Sequence, residues 1–159
     1  MPIGFEHHNH TKCVDTALAH AQSACDTQGL KLTPARLRVL EILLSEHKAM
    51  GAYDILARLN DEGLGSQPPI VYRALDFLVT NGFVHKIEKL NAYTACSHPG
   101  QSHTPVFMIC TNCKTLAETQ TQDIGGVLDL AAQTLGFQIE TAVIEAEGLC
   151  PACQENTTP

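Results

Sequence analysis

The sequence predicts an α+β protein in which a winged helix-turn-helix domain is followed by a small α/β domain. Helical periodicity dominates residues 13–80, and two short β-prone segments follow it at 83–87 and 92–95. The remainder alternates short strand patterns with one helical pattern, which is typical of a separate small α/β domain. The predicted division is 1–90 for the first domain, with a mobile tail at 1–12, a hinge at 91–97, and 98–159 for the second domain.

Local signals set the helix starts and stops in the first domain. Gly29 is a natural stop for the first helix, and Thr33 followed by Pro34 is a good N-cap and first position for the second. A turn-rich link ends at Pro68-Pro69, which begins the fourth helix. The predicted helices are 13–28, one from 34 onward, 52–60 and 70–80.

The second domain is predicted to contain three strands and one long helix. The strands are expected at 105–109, 115–118 and 137–146, and the helix at 123–135. This helix is apolar on more than one face, as expected if it packs both on its own sheet and on a second copy of the chain. We therefore expect a homodimer with an α/β dimerisation domain.

Charge is divided unequally along the chain, whose net charge is −7. Nine of the ten Lys and Arg residues lie within residues 1–90, whereas the rest of the chain holds one Lys against seven acids. Binding to nucleic acid requires a basic surface patch and not a positive net charge, so the first domain remains a candidate for DNA binding. No apolar run reaches the roughly 18 residues of a membrane span, and no signal-peptide pattern is present, so a cytoplasmic protein with no membrane partner is expected.

The fourth helix has the pattern of a DNA recognition helix. Tyr72 and Arg73 lie opposite an apolar stripe, near the N-terminus of the helix. Arg73 suits guanine O6 and N7, Tyr72 suits a thymine methyl group or a phosphate, and Arg36, Lys86 and Lys89 are candidates for phosphate contacts. A small helical domain with a solvated Tyr-Arg pair would show the same pattern. The stripe consists of Val71, Ala74, Leu75 and Leu78.

Seven cysteines, an odd number in a chain without a secretory signal, favour thiolate metal ligands over a disulfide scaffold. Two C-x-x-C pairs stand out, and together they can make a closed, structural four-thiolate zinc site. The competing interpretation is a redox motif, but that motif should open a helix near the start of a βαβ unit, and the second pair lies almost at the chain end. The pairs are Cys110 with Cys113 and Cys150 with Cys153.

A second donor set is less clear from spacing. It comprises His85, Cys96, His103 and Glu118, no two of which form a compact motif, and a single strand His is more often a core or surface residue. However, Cys96 is left over from the four-cysteine set, and His85 and Cys96 fall on adjacent strands of the predicted wing. Imidazole, thiolate and carboxylate together suit tetrahedral Zn²⁺, yet the spacing alone leaves this site open.

Four segments together resemble the zinc uptake regulator branch of the ferric-uptake-regulator family. They are LTPARLRVL at 32–40, PPIVYRALDFL at 68–78, GFVHK at 82–86 and IEAEGLCPAC at 144–153. The resemblance extends over about residues 13–153. It implies a winged-helix DNA-binding domain, a dimerisation domain, and zinc-responsive repression of zinc-uptake genes at a pseudo-palindromic operator in double-stranded DNA. It implies neither an enzyme activity nor a small-molecule substrate.

The resemblance also implies roles for the candidate residues. Cys110, Cys113, Cys150 and Cys153 resemble the structural zinc site, and His85, Cys96, His103 and Glu118 resemble the regulatory site. Tyr72 and Arg73 resemble the base-contacting pair.

Three departures from the family pattern bear on the metal sites. The loop before His103 varies in length within the family, so His98 is a rival ligand. Many relatives carry a His where Glu147 stands, and some use a His near Glu140 for a third metal. Because both of these histidines are missing here, two zinc ions per subunit are expected.

Two rival functions remain. An iron or peroxide sensor of the same family would suit the fold, but Cys96 as a ligand argues against it. A zinc-ribbon interaction module that does not bind DNA would also explain the cysteine pairs. A zinc deaminase is disfavoured because it requires an upstream His-x-Glu, an open zinc position and a Pro before its C-x-x-C.

Overall fold

The computed structural model describes residues 5, 10–46, 48–101, 103–119 and 122–156. The described residues from His10 to Gly100 form one compact unit, and those from Gln101 onward belong to a second. Most of the predicted tail, including His7 and His8, lies outside the described residues. The hinge predicted at 91–97 contains a paired strand, and hinge motion there stays a prediction.

Four α-helices lie in the part of the first unit that the structure describes. The first begins three residues earlier than predicted, and the second begins as predicted, because the Thr33 hydroxyl accepts a hydrogen bond from the Arg36 amide and Pro34 occupies the first turn. None of the helices in the described part of the chain is both long and apolar enough to cross a membrane. The helices are α1 His10–Gln28, α2 Pro34–Ser45, α3 Ala52–Asp61 and α4 Pro68–Thr80.

The predicted apolar stripe of α4 forms the centre of the core of this unit. All four of its residues are buried, and α4 packs on α2 and α3. The opposing residues include Val39 and Leu43 of α2 and Ile55 and Leu59 of α3, each no more than 1% exposed. Burial of one helix face by two others fixes which side of α4 remains at the surface.

A two-stranded antiparallel wing follows α4. It pairs β1 (Val84–Ile87) with β2 (Ala92–Ala95), close to the segments predicted. Asn91 closes the turn with a positive φ of 45°, a conformation that Asn tolerates better than most residues. Met50 and Tyr93 exchange two backbone hydrogen bonds of 2.9 and 2.8 Å, which join the wing to the segment before α3.

The described residues of the second unit form a three-stranded sheet and two helices. The strand order is β4-β3-β5, with β3 antiparallel to β4 and parallel to β5. The parallel pair is connected through α5, as parallel strands require a crossover. The elements are β3 Val106–Cys110, β4 Leu116–Thr119, α5 Gln122–Thr134, β5 Ile144–Gly148 and α6 Pro151–Glu155.

The last strand is shorter than predicted. The expected strand covered 137–146, but β5 begins at Ile144, which pairs with Val106, the first residue of β3. Residues before Ile144 have no β3 partner to pair with, so their apolar character does not make a strand. Gly136, with a φ of 65°, ends α5, and the Phe137 amide donates to the Ala132 carbonyl.

Replacing Thr33 by Ala is expected to destabilise the first unit by about 1 kcal/mol, since it removes the N-cap of α2. All three tyrosines lie in this unit and the chain has no Trp, so tyrosine fluorescence during urea unfolding monitors this unit alone. Thr16→Ala is the matched control, because the exposed Thr16 hydroxyl bonds the Lys12 carbonyl of its own helix. Equal unfolding midpoints for the two variants would contradict the capping role.

Candidate metal centres and nucleic-acid interface

The structure brings the four predicted structural cysteines together in the second unit. Cys110 ends β3 and Cys113 follows in a tight turn, where Lys114 takes a positive φ of 63°. Cys150 is the N-cap of α6 and Cys153 lies within that helix. Their four sulfur atoms all lie within 4.8 Å of one another.

The geometry of this cluster fits a tetrahedral metal ion. Four thiolates at a Zn–S distance of about 2.3 Å place their sulfur atoms roughly 3.8 Å apart. The Cys113 and Cys150 sulfur atoms are 3.7 Å apart. The Cys150 amide donates to the Cys110 sulfur at 3.4 Å, and the Asn112 side-chain amide donates to the Cys153 sulfur at 3.2 Å. Such donors stabilise thiolates, so the site suits a closed Zn²⁺ centre.

The thiols of the cluster differ in acidity. Hydrogen bonds from the backbone amides of Cys150 and Cys113 lower the pKa of Cys110 to about 6, and the Thr115 hydroxyl lowers the pKa of Cys113. The Cys153 amide also lowers the pKa of Cys150, but burial and the neighbouring thiols outweigh it and raise that pKa to about 11. A divalent cation at the centre of the cluster would stabilise all four sulfurs as thiolates.

The first unit contains half of the second predicted donor set. His85 of β1 pairs with Thr94 of β2, and the Cys96 amide donates to the Phe83 carbonyl at 2.9 Å, which extends the ladder by one residue. His85 and Cys96 therefore lie on the same face of the wing. A ring nitrogen of His85 lies within 4.8 Å of the Cys96 sulfur, which also accepts the His98 amide at 3.3 Å.

The second unit contains the other half. His103 Nε2 lies 2.9 Å from Oε1 of the buried Glu118, and His103 Nδ1 lies 2.7 Å from the Gln101 carbonyl. A neutral imidazole that donates from Nδ1 to a carbonyl presents the lone pair of Nε2 to the carboxylate. Two acceptors at this distance need a proton or a metal ion to relieve their repulsion. The Gln101 contact is the kind of orienting bond that metal-binding histidines commonly make.

The residues predicted to contact bases lie at the surface. Tyr72 is 41% exposed, and Arg73 beside it is also exposed, on the side of α4 opposite the buried stripe. The two lysines predicted to contact phosphates belong to the wing. Lys86 is partly exposed on β1, with its Nζ 3.4 Å from a Glu88 carboxylate oxygen, and Lys89 is exposed in the turn that follows.

Arg36 has a more specific environment than the sequence suggested. Its guanidinium lies 3.8 Å from the centre of the Phe77 ring, and its Nη1 donates to the Lys31 carbonyl at 2.6 Å. Phe77 belongs to α4 and packs at the edge of the core. The predicted phosphate contact of Arg36 stays a prediction.

Sequence reasoning missed the residues that support the two donor sets. Asn112 and Thr115 bond cluster sulfurs, and the Gln101 carbonyl orients His103. Asn112 and Thr115 had a weak sequence signal, because polar side chains in or beside a C-x-x-C turn are well placed to contact its sulfurs. The third had none, since a backbone carbonyl carries no sequence signature.

Replacing Cys113 by Ser is expected to remove about one metal equivalent per subunit and to destabilise the second unit, because a closed four-thiolate site loses a ligand. Metal analysis and hydrogen exchange of β3 and β5 would measure both effects. Tyrosine fluorescence should show the first unit unchanged. Cys13→Ser, at an exposed position on α1, is the matched control. Full metal content in the Cys113 variant would contradict the assignment.

The comparisons with known proteins agree on one family. The Ferric uptake regulator family matches residues 27–147. The Zinc uptake regulation protein of Escherichia coli strain K12 is 40% identical over 139 residues, covering 87% of this chain and 81% of that protein. A solved structure described as a zinc uptake regulator complexed with zinc and DNA has a TM-score of 0.86 at 39% identity, covering 90% of this chain and 96% of that one. The structure of holo XcZur has a TM-score of 0.81 at 39% identity, covering 88% and 98%. The chain belongs to the ferric uptake regulator family.

Proposed function

We propose that this protein is a zinc-responsive transcriptional repressor, which acts in the cytoplasm as a homodimer on a pseudo-palindromic operator and represses zinc-uptake genes. The observation that carries the proposal is the donor chemistry of the second set, in which the buried Cys96 adds a thiolate to imidazole and carboxylate ligands. A thiolate favours zinc over the harder ions that oxygen-rich sites bind. Relatives at 39–40% identity are zinc uptake regulators, one of them solved with zinc and DNA.

Two zinc ions per subunit are proposed, with separate roles. The four-cysteine cluster lies wholly within the second unit and leaves no ligand position open, so its zinc would stabilise that unit. The second ion would be regulatory and would be held by His85, Cys96, His103 and Glu118. The 2.9 Å approach of His103 Nε2 to Glu118 Oε1 supports His103 over His98 as the ligand.

The proposed regulatory ligands come from both compact units. His85 and Cys96 would supply two donors from the wing, and His103 and Glu118 would supply two from the second unit. An ion that requires all four would limit how the units move relative to each other, and so would set the spacing of the two recognition helices in a dimer. A coupling free energy of about 1–3 kcal/mol between zinc and DNA binding would result.

The dimer is proposed to form through the second unit. Large apolar side chains on and after α5 are 65–83% exposed, and a group of exposed apolar residues of this kind commonly marks an interface. The excess of acidic residues in this half of the chain also disfavours its contact with DNA. These side chains are Val127, Leu130, Leu135 and Phe137.

In this proposal α4 contacts bases and the wing contacts the backbone. Arg73 can give two hydrogen bonds to a guanine edge, and the adjacent Tyr72 can meet a thymine methyl group. Lys86 and Lys89 carry charges that suit phosphates, which position a protein without specifying sequence.

Replacing Cys96 by Ser is expected to abolish zinc-dependent operator binding, because the regulatory site loses its thiolate. The variant should remain a folded dimer with the four-cysteine zinc in place, since those ligands are untouched. Operator binding would be measured against free zinc concentration, together with metal content and dimer mass. Cys13→Ser serves as the control. Wild-type zinc dependence in the Cys96 variant would refute the regulatory site.

Replacing Arg73 by Ala is expected to cost roughly 1–3 kcal/mol of discrimination between operator and altered operator, because a bidentate base contact is lost. Lys89→Ala is the comparison, since loss of a phosphate contact should weaken binding to all DNA sequences. It should also reduce the salt slope, which is the dependence of the logarithm of the binding constant on the logarithm of the salt concentration, by about 1. Dissociation constants of both variants are measured for the operator and the altered operator over a series of salt concentrations. If the two variants behave alike, the proposed division between base and phosphate contacts is wrong.

A further inference from the structure

Arg36 and Phe77 join two helices of the first unit through a cation–π contact. Arg36 lies in the first turn of α2, where the Thr33 cap holds its backbone amide, and Phe77 lies on α4. The guanidinium covers the ring at 3.8 Å while its Nη1 donates to the Lys31 carbonyl at 2.6 Å. The guanidinium is thus held from two directions.

The Arg36–Phe77 contact lies on the same face of α4 as Arg73. Residues four apart are neighbours on one helix face, so Phe77 lies next to Arg73, one turn further along α4. Phe77 is partly buried at the edge of the core, and Arg73 is exposed. A planar group packed on the Phe77 ring therefore limits the freedom of the ring beside the base-contacting side chain.

We infer that Arg36 is a positioning residue for DNA recognition, which fixes the Arg73 face of α4 through Phe77 rather than serving mainly as a phosphate contact. The inference rests on the proposed function, since it assumes that α4 contacts DNA. A recognition surface must be held within a fraction of an ångström to discriminate between bases, and the packing around it supplies that rigidity. Lysine is a poor replacement for this arginine, because its compact ammonium lacks the planar face with which a guanidinium stacks on a ring.

The inference is tested with three substitutions in the full-length zinc-loaded protein. Arg36→Lys keeps the charge and loses the planar group, Arg36→Gln removes the charge, and Phe77→Leu removes the ring but keeps an apolar side chain. Operator and non-specific DNA affinities are measured over a series of salt concentrations. A double variant, Arg36→Lys with Phe77→Leu, completes a cycle that isolates the pair.

A positioning role predicts that Arg36→Lys and Phe77→Leu each weaken operator binding by about 2- to 10-fold, the size expected from the loss of a cation–π contact. Non-specific affinity and the salt slope should be unchanged, and the double variant should be little worse than either single variant. A general loss of folding would lower both affinities together, so the ratio of specific to non-specific affinity separates the two effects.

A phosphate contact predicts the opposite pattern and would overturn the inference. In that case Arg36→Lys would bind the operator like the wild type, Arg36→Gln would reduce the salt slope by about 1, and Phe77→Leu would have no effect. If the wild-type protein itself failed to bind an operator with zinc, the proposed function would fail instead. Urea unfolding of the same proteins would then still test the pair, because additive changes in stability would contradict the contact.

Discussion

A tetrahedral metal ion requires four donor atoms, and this chain divides one proposed set of four equally between two compact units. Each half is organised by its own unit: the β ladder places His85 and Cys96 on one face of the wing, and the Gln101 carbonyl orients His103 toward Glu118. Neither half offers a closed site alone. Binding of an ion to all four donors would therefore restrain both units, which is what a metal sensor requires.

The four-cysteine cluster differs from this set because all its ligands belong to one unit. It joins the end of β3 to the N-terminus of α6, so it ties the last helix to the central strand of the sheet. Four thiolates leave no position for a ligand from elsewhere, which suits stabilisation rather than sensing. The same metal can thus serve two purposes in one chain, and the purpose depends on where the ligands come from.

Local signals made much of this architecture predictable from the sequence. Three features depend on residues that are close together in sequence, and the structure contains all of them. They are the Thr33 cap, the apolar stripe of α4 and the two C-x-x-C pairs. The start of β5 was not predictable, because it depends on where β3 begins to offer partners. The contact of Arg36 with Phe77 joins residues 41 positions apart and has no local pattern.

Zinc at the divided site and operator DNA are expected to bind cooperatively. Thermodynamic linkage requires that DNA raise the zinc affinity of this site by the same factor by which zinc raises the DNA affinity. The most direct measurement is therefore a zinc titration of the protein with and without a saturating operator duplex. The zinc affinity of the weaker site is expected to rise by about 5- to 150-fold when DNA is present, which corresponds to a coupling free energy of about 1–3 kcal/mol. Equal zinc affinities in the two titrations would contradict it.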